Sequence, residues 1–201
     1  MKKSLLTGFF VLLLISTTVF SQKPKFLGVA FEGSVPTGDF SDQANTGYGA
    51  SAMFLIKYRS NIDFYGSFGV ISWDGESIFS PILRTDINFS FLGFPLKAGA
   101  RYRLGENKTA VYLFTEAGIQ FFRSKSEAII TSDPLFPDNR DSRFSATNTT
   151  SNVLIAPGVG FQTPLTKKIA LDLSARFEIV QDSKYFGVRA GFTLPIGSRE
   201  E

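Results

Sequence analysis

The chain contains no cysteine and no histidine among its 201 residues. Without cysteine there is no disulfide framework, thiolate metal site or thiol nucleophile, and without histidine the common catalytic triads, imidazole bases and histidine zinc sites are excluded. Charged residues are also scarce, at 19% of the sequence against the ~25% usual for soluble domains. We therefore predict a protein that is not an enzyme and that holds no cofactor and no metal ion.

Long hydrophobic runs are nearly absent, and the one present lies at the N-terminus. The apolar stretch Leu5–Ile15 follows a basic start, Met-Lys-Lys, and ends before small residues. It is shorter than the ~20 residues that a spanning helix needs, which argues against the alternative of a membrane anchor. The pattern predicts a signal peptide over residues 1–21, cleaved between Ser21 and Gln22, and a mature domain over residues 22–201.

The apparent basicity of the chain depends on that signal peptide. The full sequence has 21 bases and 18 acids, a net charge of +3. Removal of Lys2 and Lys3 leaves 21 − 2 = 19 bases against 18 acids, so the mature domain is close to neutral. Bases and aromatic residues do not cluster, and an exported protein seldom meets nucleic acid, so no nucleic-acid partner is predicted.

What the sequence does have is alternation of apolar and polar residues with a period of two, which predicts β-strands. In the clearest segment Leu171, Leu173 and Ala175 fall on one face, while Asp172 and Arg176 fall on the other. Eight segments alternate in this way: residues 26–35, 48–58, 62–71, 91–103, 110–122, 153–162, 169–180 and 185–196. We predict an all-β fold of eight strands.

The two faces of these segments carry different kinds of residue. One face has no charged residue in any segment. The other holds most of the glycines, which weaken a water-facing strand but suit a crowded concave interior. That face also holds eleven charged residues: Glu32, Lys57, Asp63, Lys97, Arg101, Arg103, Glu116, Asp172, Arg176, Glu178 and Arg189.

The five acids and six bases nearly balance, which predicts a charge network inside a narrow lumen, because an unpaired buried ion is costly. A solvated charged face on a soluble sandwich or lipocalin-like barrel is the alternative. The uncharged opposite face favours an eight-stranded antiparallel up-and-down transmembrane β-barrel, surrounded by outer-membrane lipid. Tyr65, Tyr112 and Phe114 share the charged face and predict an obstructed lumen.

The connections between segments alternate in length. Three of the four odd-numbered gaps are long, including residues 36–47, 72–90 and 123–152, and every even-numbered gap is short. Outer-membrane barrels place short turns in the periplasm and longer loops outside, so both termini are predicted to be periplasmic. Apolar residues within the loop predicted at residues 123–152 make it a candidate contact for envelope or surface proteins.

Prolines and aromatic residues add two local predictions. Pro95, Pro157 and Pro195 fall within predicted strands, where a missing backbone donor breaks the ladder, so bulges or strand ends are expected there. Tyr58 and Tyr102, like Phe161, end segments on the uncharged face, as one interfacial aromatic girdle requires.

Several motifs resemble the small outer-membrane β-barrel families with an OmpA-like or PorT-like membrane domain that are abundant in Bacteroidota. Gly28–Phe40, "GVAFEGSVPTGDF", is similar to their first strand and loop, and Gly93–Leu104, "GFPLKAGARYRL", to a recurring strand. Val111–Phe121 and Ala156–Glu178 look like later strand pairs. The spacing of Arg189, Gly191, Leu194 and Ile196 is similar to that of a barrel-assembly signal in the last strand. The resemblance implies a fold and an outer-membrane location, and little about activity.

The favoured function is a non-enzymatic integral outer-membrane protein of the cell envelope, with a structural or interaction role through its extracellular loops. Three alternatives stay open: a small-solute channel, an outer-membrane component of a secretion or assembly machinery, and a secreted soluble barrel that binds apolar ligands. The hydrolases among small outer-membrane barrels generally use a histidine base, which this chain lacks.

Overall fold

The computed structural model describes residues 23–75, 77–80, 85–105, 109–130, 142–181 and 183–196. The predicted signal peptide and its cleavage site lie outside the described residues. The strands are β1 (Lys25–Thr37), β2 (Gly47–Lys57), β3 (Ile62–Asp74), β4 (Ile78–Ser80), β5 (Thr85–Leu104), β6 (Ala110–Ile130), β7 (Ser142–Pro164), β8 (Ala170–Val180) and β9 (Ser183–Ile196). A single turn of 3-10 helix, Gly38–Phe40, follows β1, and no helix in the described ranges is long and apolar enough to cross a membrane.

Eight of these strands close into a barrel in which every neighbouring pair is antiparallel. The hydrogen-bonded order is β3-β2-β1-β9-β8-β7-β6-β5, and pairing of β3 with β5 closes the ring. The short β4 lies outside the ring and pairs with β5 only. The predicted eight-stranded antiparallel up-and-down barrel is confirmed.

The register fixes the geometry of the barrel. A path that starts at Leu27 and follows the paired residues through Phe54, Gly66, Ala98, Ala117, Ile155, Ile179 and Lys184 returns to β1 at Thr37. The path therefore advances by 37 − 27 = 10 residues around eight strands. With a rise of about 3.3 Å per residue and a strand spacing of about 4.8 Å, this shear gives a tilt of roughly 40°. The lumen of so small a barrel is narrow enough for side chains to fill it.

Alternation along each strand puts one set of side chains inside and the other outside. In β8, Asp172, Ser174 and Arg176 are buried, whereas Leu173 and Phe177 are exposed. The large hydrophobic residues of the predicted uncharged face are exposed around the ring, with Phe31 reaching 80%. Polar side chains therefore lie inside and hydrophobic side chains outside, the reverse of a soluble protein. This arrangement contradicts the alternative of a soluble barrel with an apolar binding cavity.

The two ends of the barrel differ in their connections. At one end, which we call the turn end, β2–β3, β5–β6 and β7–β8 are joined by residues 58–61, 105–109 and 165–169. The opposite end, which we call the loop end, has the longer gaps between strands, residues 38–46, 75–84 and 131–141, and the two-residue gap between β8 and β9. The predicted alternation of short and long connections is therefore present.

The prediction of a loop over residues 123–152 is wrong for most of that range. β6 and β7 continue to pair from Arg123–Thr149 as far as Ile130–Ser142, so these residues form an extended hairpin beyond the barrel. The predicted loop at residues 72–90 is also too long, since β3 ends at Asp74, β5 begins at Thr85 and β4 lies between them. Residues 123–130 and 142–152 are mostly polar and show little alternation, so in sequence they are similar to a loop. In the structure their backbone groups are satisfied by cross-strand pairing.

The three prolines are accommodated without bulges. Pro195 lies next to the end of β9, as predicted. Pro95 and Pro157 lie inside β5 and β7, and beside them the β3–β5 and β7–β8 ladders are interrupted and then continue in the same register. The missing N–H group removes a ladder bond on one side only, because each proline still pairs with β6 on the other side.

Candidate functional site

The centre of the lumen holds a cluster of buried charges around Arg176. Its guanidinium donates to Glu32 of β1 and to Glu178 of its own strand, and Arg176 Nε lies 3.8 Å from Glu116 Oε2. Residues two apart on a strand share a face, which explains why Arg176 and Glu178 meet. Arg176 thus joins strands on opposite sides of the barrel.

Two more bases complete this central charge cluster. Lys97 Nζ lies 3.0 Å from Glu116 Oε2, in an ion pair rather than an aligned hydrogen bond, and 3.4 Å from Glu178 Oε1. Arg189 Nη1 lies 3.5 Å from Glu116 Oε1. The six members, Glu32, Lys97, Glu116, Arg176, Glu178 and Arg189, are all buried, so each ion depends on the others for compensation.

A second cluster, the turn-side charge cluster, lies nearer the turn end. Arg101 Nε donates to Asp63 Oδ2 at 2.6 Å and Arg101 Nη1 to Asp172 Oδ2 at 3.1 Å. Arg103 Nε donates to the same Asp63 oxygen at 2.8 Å. Gln162 Oε1 accepts from both guanidinium groups. These bonds tie β3, β5, β7 and β8 together at the level of the turns.

Tyrosine hydroxyls extend both clusters. Tyr65 donates to Glu116 Oε1 at 2.9 Å, and Tyr112 donates to Asp172 Oδ1 at 2.6 Å. Tyr185 lies within 2.9 Å of both Glu178 Oε2 and Gln120 Oε1. The aromatic rings fill volume while the hydroxyls satisfy buried carboxylates.

The loop end of the lumen is filled by an aromatic plug of Phe40, Trp73, Phe91, Phe122 and Tyr185. Phe40 comes from the connection after β1 and packs edge-on against Trp73 and Phe91, each with a centroid distance of 5.7 Å. Trp73 is fully buried and its indole N–H donates to Ser34 Oγ. The plug separates the charge clusters from the loop end.

The structure buries nine of the eleven charged residues predicted to line the interior: Glu32, Asp63, Lys97, Arg101, Glu116, Asp172, Arg176, Glu178 and Arg189. The side chain of Arg103 is 13% exposed and joins the turn-side charge cluster. Lys57 stands apart. Although it pairs with Asp63 in the backbone register, its ammonium lies over the Phe26 ring and, within the described ranges, reaches no carboxylate.

The charged side chains of the interior are compensated by one another. Each of its five carboxylates, Glu32, Asp63, Glu116, Asp172 and Glu178, lies within 4.0 Å of at least one guanidinium or ammonium nitrogen. The side chains of Asp63, Glu116 and Glu178 have no solvent exposure. These carboxylates are shielded from bulk solvent and are compensated by buried cationic partners.

No family model and no curated protein sequence matches the chain. Solved structures do match it over most of its length. Ail, the attachment invasion locus protein of Yersinia pestis, has a TM-score of 0.57 and 14% identity, over 87% of this chain and 99% of that one.

The fold is that of the small outer-membrane β-barrels. OprG of Pseudomonas aeruginosa matches with a TM-score of 0.55 and 8% identity, over 88% of this chain and 97% of its own. A major outer membrane protein of Thermus thermophilus matches with a TM-score of 0.52 and 11% identity, over 86% of this chain and 99% of its own. At these identities the likeness is one of fold.

Sequence reasoning missed several members of the interior. Trp73 fell in a predicted loop, and Phe40 lies in a connection, where no alternation marks which side chains point inward. Gln120 and Gln162 lie on the inward face of β6 and β7, so parity gave their direction, but not their partners. Parity did identify Tyr65, Tyr112 and Phe114 as inward-facing, and all three are buried.

Proposed function

We propose that the chain is a non-enzymatic integral protein of the bacterial outer membrane, which holds an extended hairpin at the cell surface. The observation that carries this proposal is the exposed face of the barrel. Large hydrophobic side chains such as Phe68, Leu96 and Phe192 are exposed all around the ring. An apolar surface of this extent is unfavourable in water. A bilayer is the environment in which such a belt is stable.

The element that fits an interaction role is the extended hairpin, residues 123–130 of β6 and 142–150 of β7. Beyond the tip of the β8–β9 hairpin, residues 142–153 of β7 pair with β6 but have no partner on their other edge among the described strands. An unpaired edge offers backbone donors and acceptors to an added strand. Its side chains are mainly serine, threonine and asparagine, and residues 144–151 are exposed.

Photo-crosslinking on intact cells tests this role. A photoreactive residue at Thr147 on the free edge should give crosslinked products with an envelope or surface protein, whereas the same residue at Val159, on the lipid-facing part of the same strand, should give none. A protein partner captured equally from both positions, or from neither, contradicts an interaction role for the hairpin.

The buried interior supports a closed barrel over the alternative of a small-solute channel. Trp73 and Leu154 toward the loop end and Glu116 and Asp63 further down have no solvent exposure. A water-filled path would expose the residues that line it. Planar-bilayer recording of the refolded protein should therefore show no stable openings, and reproducible openings of the unmodified protein would replace this proposal with the channel.

Three further features belong to the same proposal. Export through a signal peptide cleaved after Ser21 supplies the route to the outer membrane. Short connections at the turn end support a periplasmic location for that end and for both termini. The motifs around Gly28–Phe40 and Gly93–Leu104 support an affiliation with the OmpA-like or PorT-like group of Bacteroidota, within which a role in a secretion or assembly machinery is the second candidate.

A further inference from the structure

A cavity of about 910 Å³ opens at the turn end of the barrel, beneath the turn-side charge cluster. Five bases line it: Lys57, Arg101, Arg103, Lys167 and Lys168. No acidic side chain is among its described lining residues. We call this cavity the basic vestibule.

The positive charge of the vestibule is not balanced from within the barrel. The five interior acids are matched in number by five bases, Lys97, Arg101, Arg103, Arg176 and Arg189, each in an ion pair. Lys57 is left over from that balance, and Lys167 adds a further charge at the mouth. In the described part of the chain, no carboxylate is within ion-pair distance of Lys57 or Lys167.

Asp63 is the acid that the fold brings nearest to Lys57, because the two pair across β2 and β3. Its Oδ2 already accepts from Arg101 at 2.6 Å and from Arg103 at 2.8 Å. The Lys57 ammonium instead lies 5.1 Å from the centroid of the Phe26 ring. A lysine that has an acid on the neighbouring strand and does not reach it is available to an external anion.

The donors of the vestibule suit a phosphoryl group. Arg103 uses Nε and Nη2 on Asp63 and Gln162, yet its side chain stays 13% exposed toward the opening. Guanidinium and ammonium groups form strong charge-assisted bonds with phosphate oxygens, and both kinds of group line this one cavity. Apolar side chains of Leu165 and Ile169 stand at the same mouth and would contact the less polar part of a larger ligand.

We propose that the basic vestibule binds a phosphate group through Lys57, Arg103 and Lys167. The group belongs either to an anionic phospholipid of the surrounding leaflet or to a free phosphate compound, since both present the same oxygens. The site lies at the opposite end of the barrel from the extended hairpin. Phosphate binding is therefore tested independently of the interaction role proposed for the hairpin.

The first test uses inorganic phosphate as the probe. The full mature chain, refolded in dodecyl maltoside micelles and labelled with 15N, is titrated with phosphate at constant ionic strength set with sodium chloride. Saturable shifts of amides at the turn end are expected, with binding weakened about fivefold or more in Lys57→Gln and in Lys167→Gln. The matched control, Lys125→Gln at the loop end, should bind as the parent does.

Equal affinity in the parent and both vestibule variants would overturn the site, whereas shifts that do not saturate with inorganic phosphate exclude a free phosphate compound and leave the lipid headgroup to the second test. Lys57 is only partly buried and Lys167 is exposed, so at least one of the two variants should fold. Heat-modifiable mobility on gels checks that each protein is folded before titration.

The second test separates the two sources of phosphate. Micelles are doped with phosphatidylglycerol or, as the control without phosphate, with diacylglycerol. If a lipid headgroup is the ligand, phosphatidylglycerol alone reproduces the shifts and inorganic phosphate then adds nothing. If phosphatidylglycerol is silent while inorganic phosphate binds, the ligand is a free phosphate compound. Silence of both probes would overturn the proposal.

Discussion

Arg176 shows how single residues hold this barrel together. Its side chain is 1% exposed, and it contacts Glu32 and Glu178 directly and Glu116 at 3.8 Å. A buried ion is expensive on its own, but several acceptors around one guanidinium offset the loss of water. The buried charges therefore stabilise the barrel together, and the loss of one of them should destabilise it.

Replacement of Arg176 by methionine should strongly destabilise the barrel. It leaves Glu32 and Glu178 buried without their main partner, and breaking a buried pair costs about 3–5 kcal/mol. The measurement is urea unfolding of protein refolded in phospholipid vesicles. Lys125→Met is the control, since its pair with Glu127 is about half exposed and should contribute under about 1 kcal/mol. Similar losses in the two variants would contradict the central role of Arg176.

Glycine acts at the same scale where strands and side chains approach closely. A Cβ atom at Gly99 would lie 2.7 Å from Thr115 O and 2.8 Å from Tyr65 Cζ, closer than real contacts allow. Gly66, across the β3–β5 ladder from Ala98, faces outward, and its Cβ would meet nothing nearer than Lys97 O at 3.8 Å.

Gly99→Ala should therefore lower the free energy of unfolding by about 1–3 kcal/mol, through overpacking of the lumen. Gly66→Ala, with room for its methyl group on the outer surface, should have little effect or stabilise slightly. Urea unfolding in vesicles measures both. A larger loss in Gly66→Ala than in Gly99→Ala would show that the assigned faces are reversed.

At the scale of elements, the sequence predicted the strands within the barrel better than it predicted those beyond it. Alternation is strong where lipid lies on one side and a packed lumen on the other, so all eight segments were recognised. Above the barrel residues 144–151 of β7 are exposed on both faces and no packed lumen lies against them, so the contrast between the faces disappears. That is why residues 123–130 and 142–150 were assigned to a loop. The position of a residue in the alternation predicts whether its side chain points into the lumen. It does not predict the shear between strands, so the contacts between interior side chains could not be predicted.

Shortening the extended hairpin should leave the barrel folded. Arg123 and Thr149 pair directly, so an Asn-Gly turn between them replaces residues 124–148 with a two-residue hairpin loop. Phe122, which belongs to the aromatic plug, is retained. Heat-modifiable mobility should persist, because the ladders of the closed ring are kept, although residues 85–91 of β5 lose their partners on β6. Loss of the folded band would show that the hairpin is part of the folding unit.

For the whole molecule, the distribution of charge decides the environment. The uncharged face found in the sequence is continuous around the closed ring, and the charges it excludes meet in two clusters inside. Lys57 is the exception, and with Lys167 it gives the described lining of the basic vestibule its unpaired positive charge. The closed interior, the uncharged belt and the free edge of β7 are the three features that support the proposed role, a membrane anchor that presents a hairpin.

A charge placed on the belt tests its contact with lipid. Ala175 lies at the centre of β8 and faces outward, so Ala175→Arg should cost about 2–4 kcal/mol in vesicles. Thr149→Arg, at an exposed strand position above the barrel, should change the free energy of unfolding by no more than about 0.5 kcal/mol. Equal tolerance of the two changes would place Ala175 outside the bilayer.

The most direct measurement of the central claim is a depth profile along one strand. Because the chain has no cysteine, single cysteines at Leu171, Leu173, Ala175, Phe177 and Ile179 can each carry a spin label on the outer face of β8. In vesicles, collisions with oxygen relative to a water-soluble nickel reagent should peak at Ala175 and fall toward both ends of the strand. Equal access of the nickel reagent to all five positions would contradict a membrane-embedded barrel.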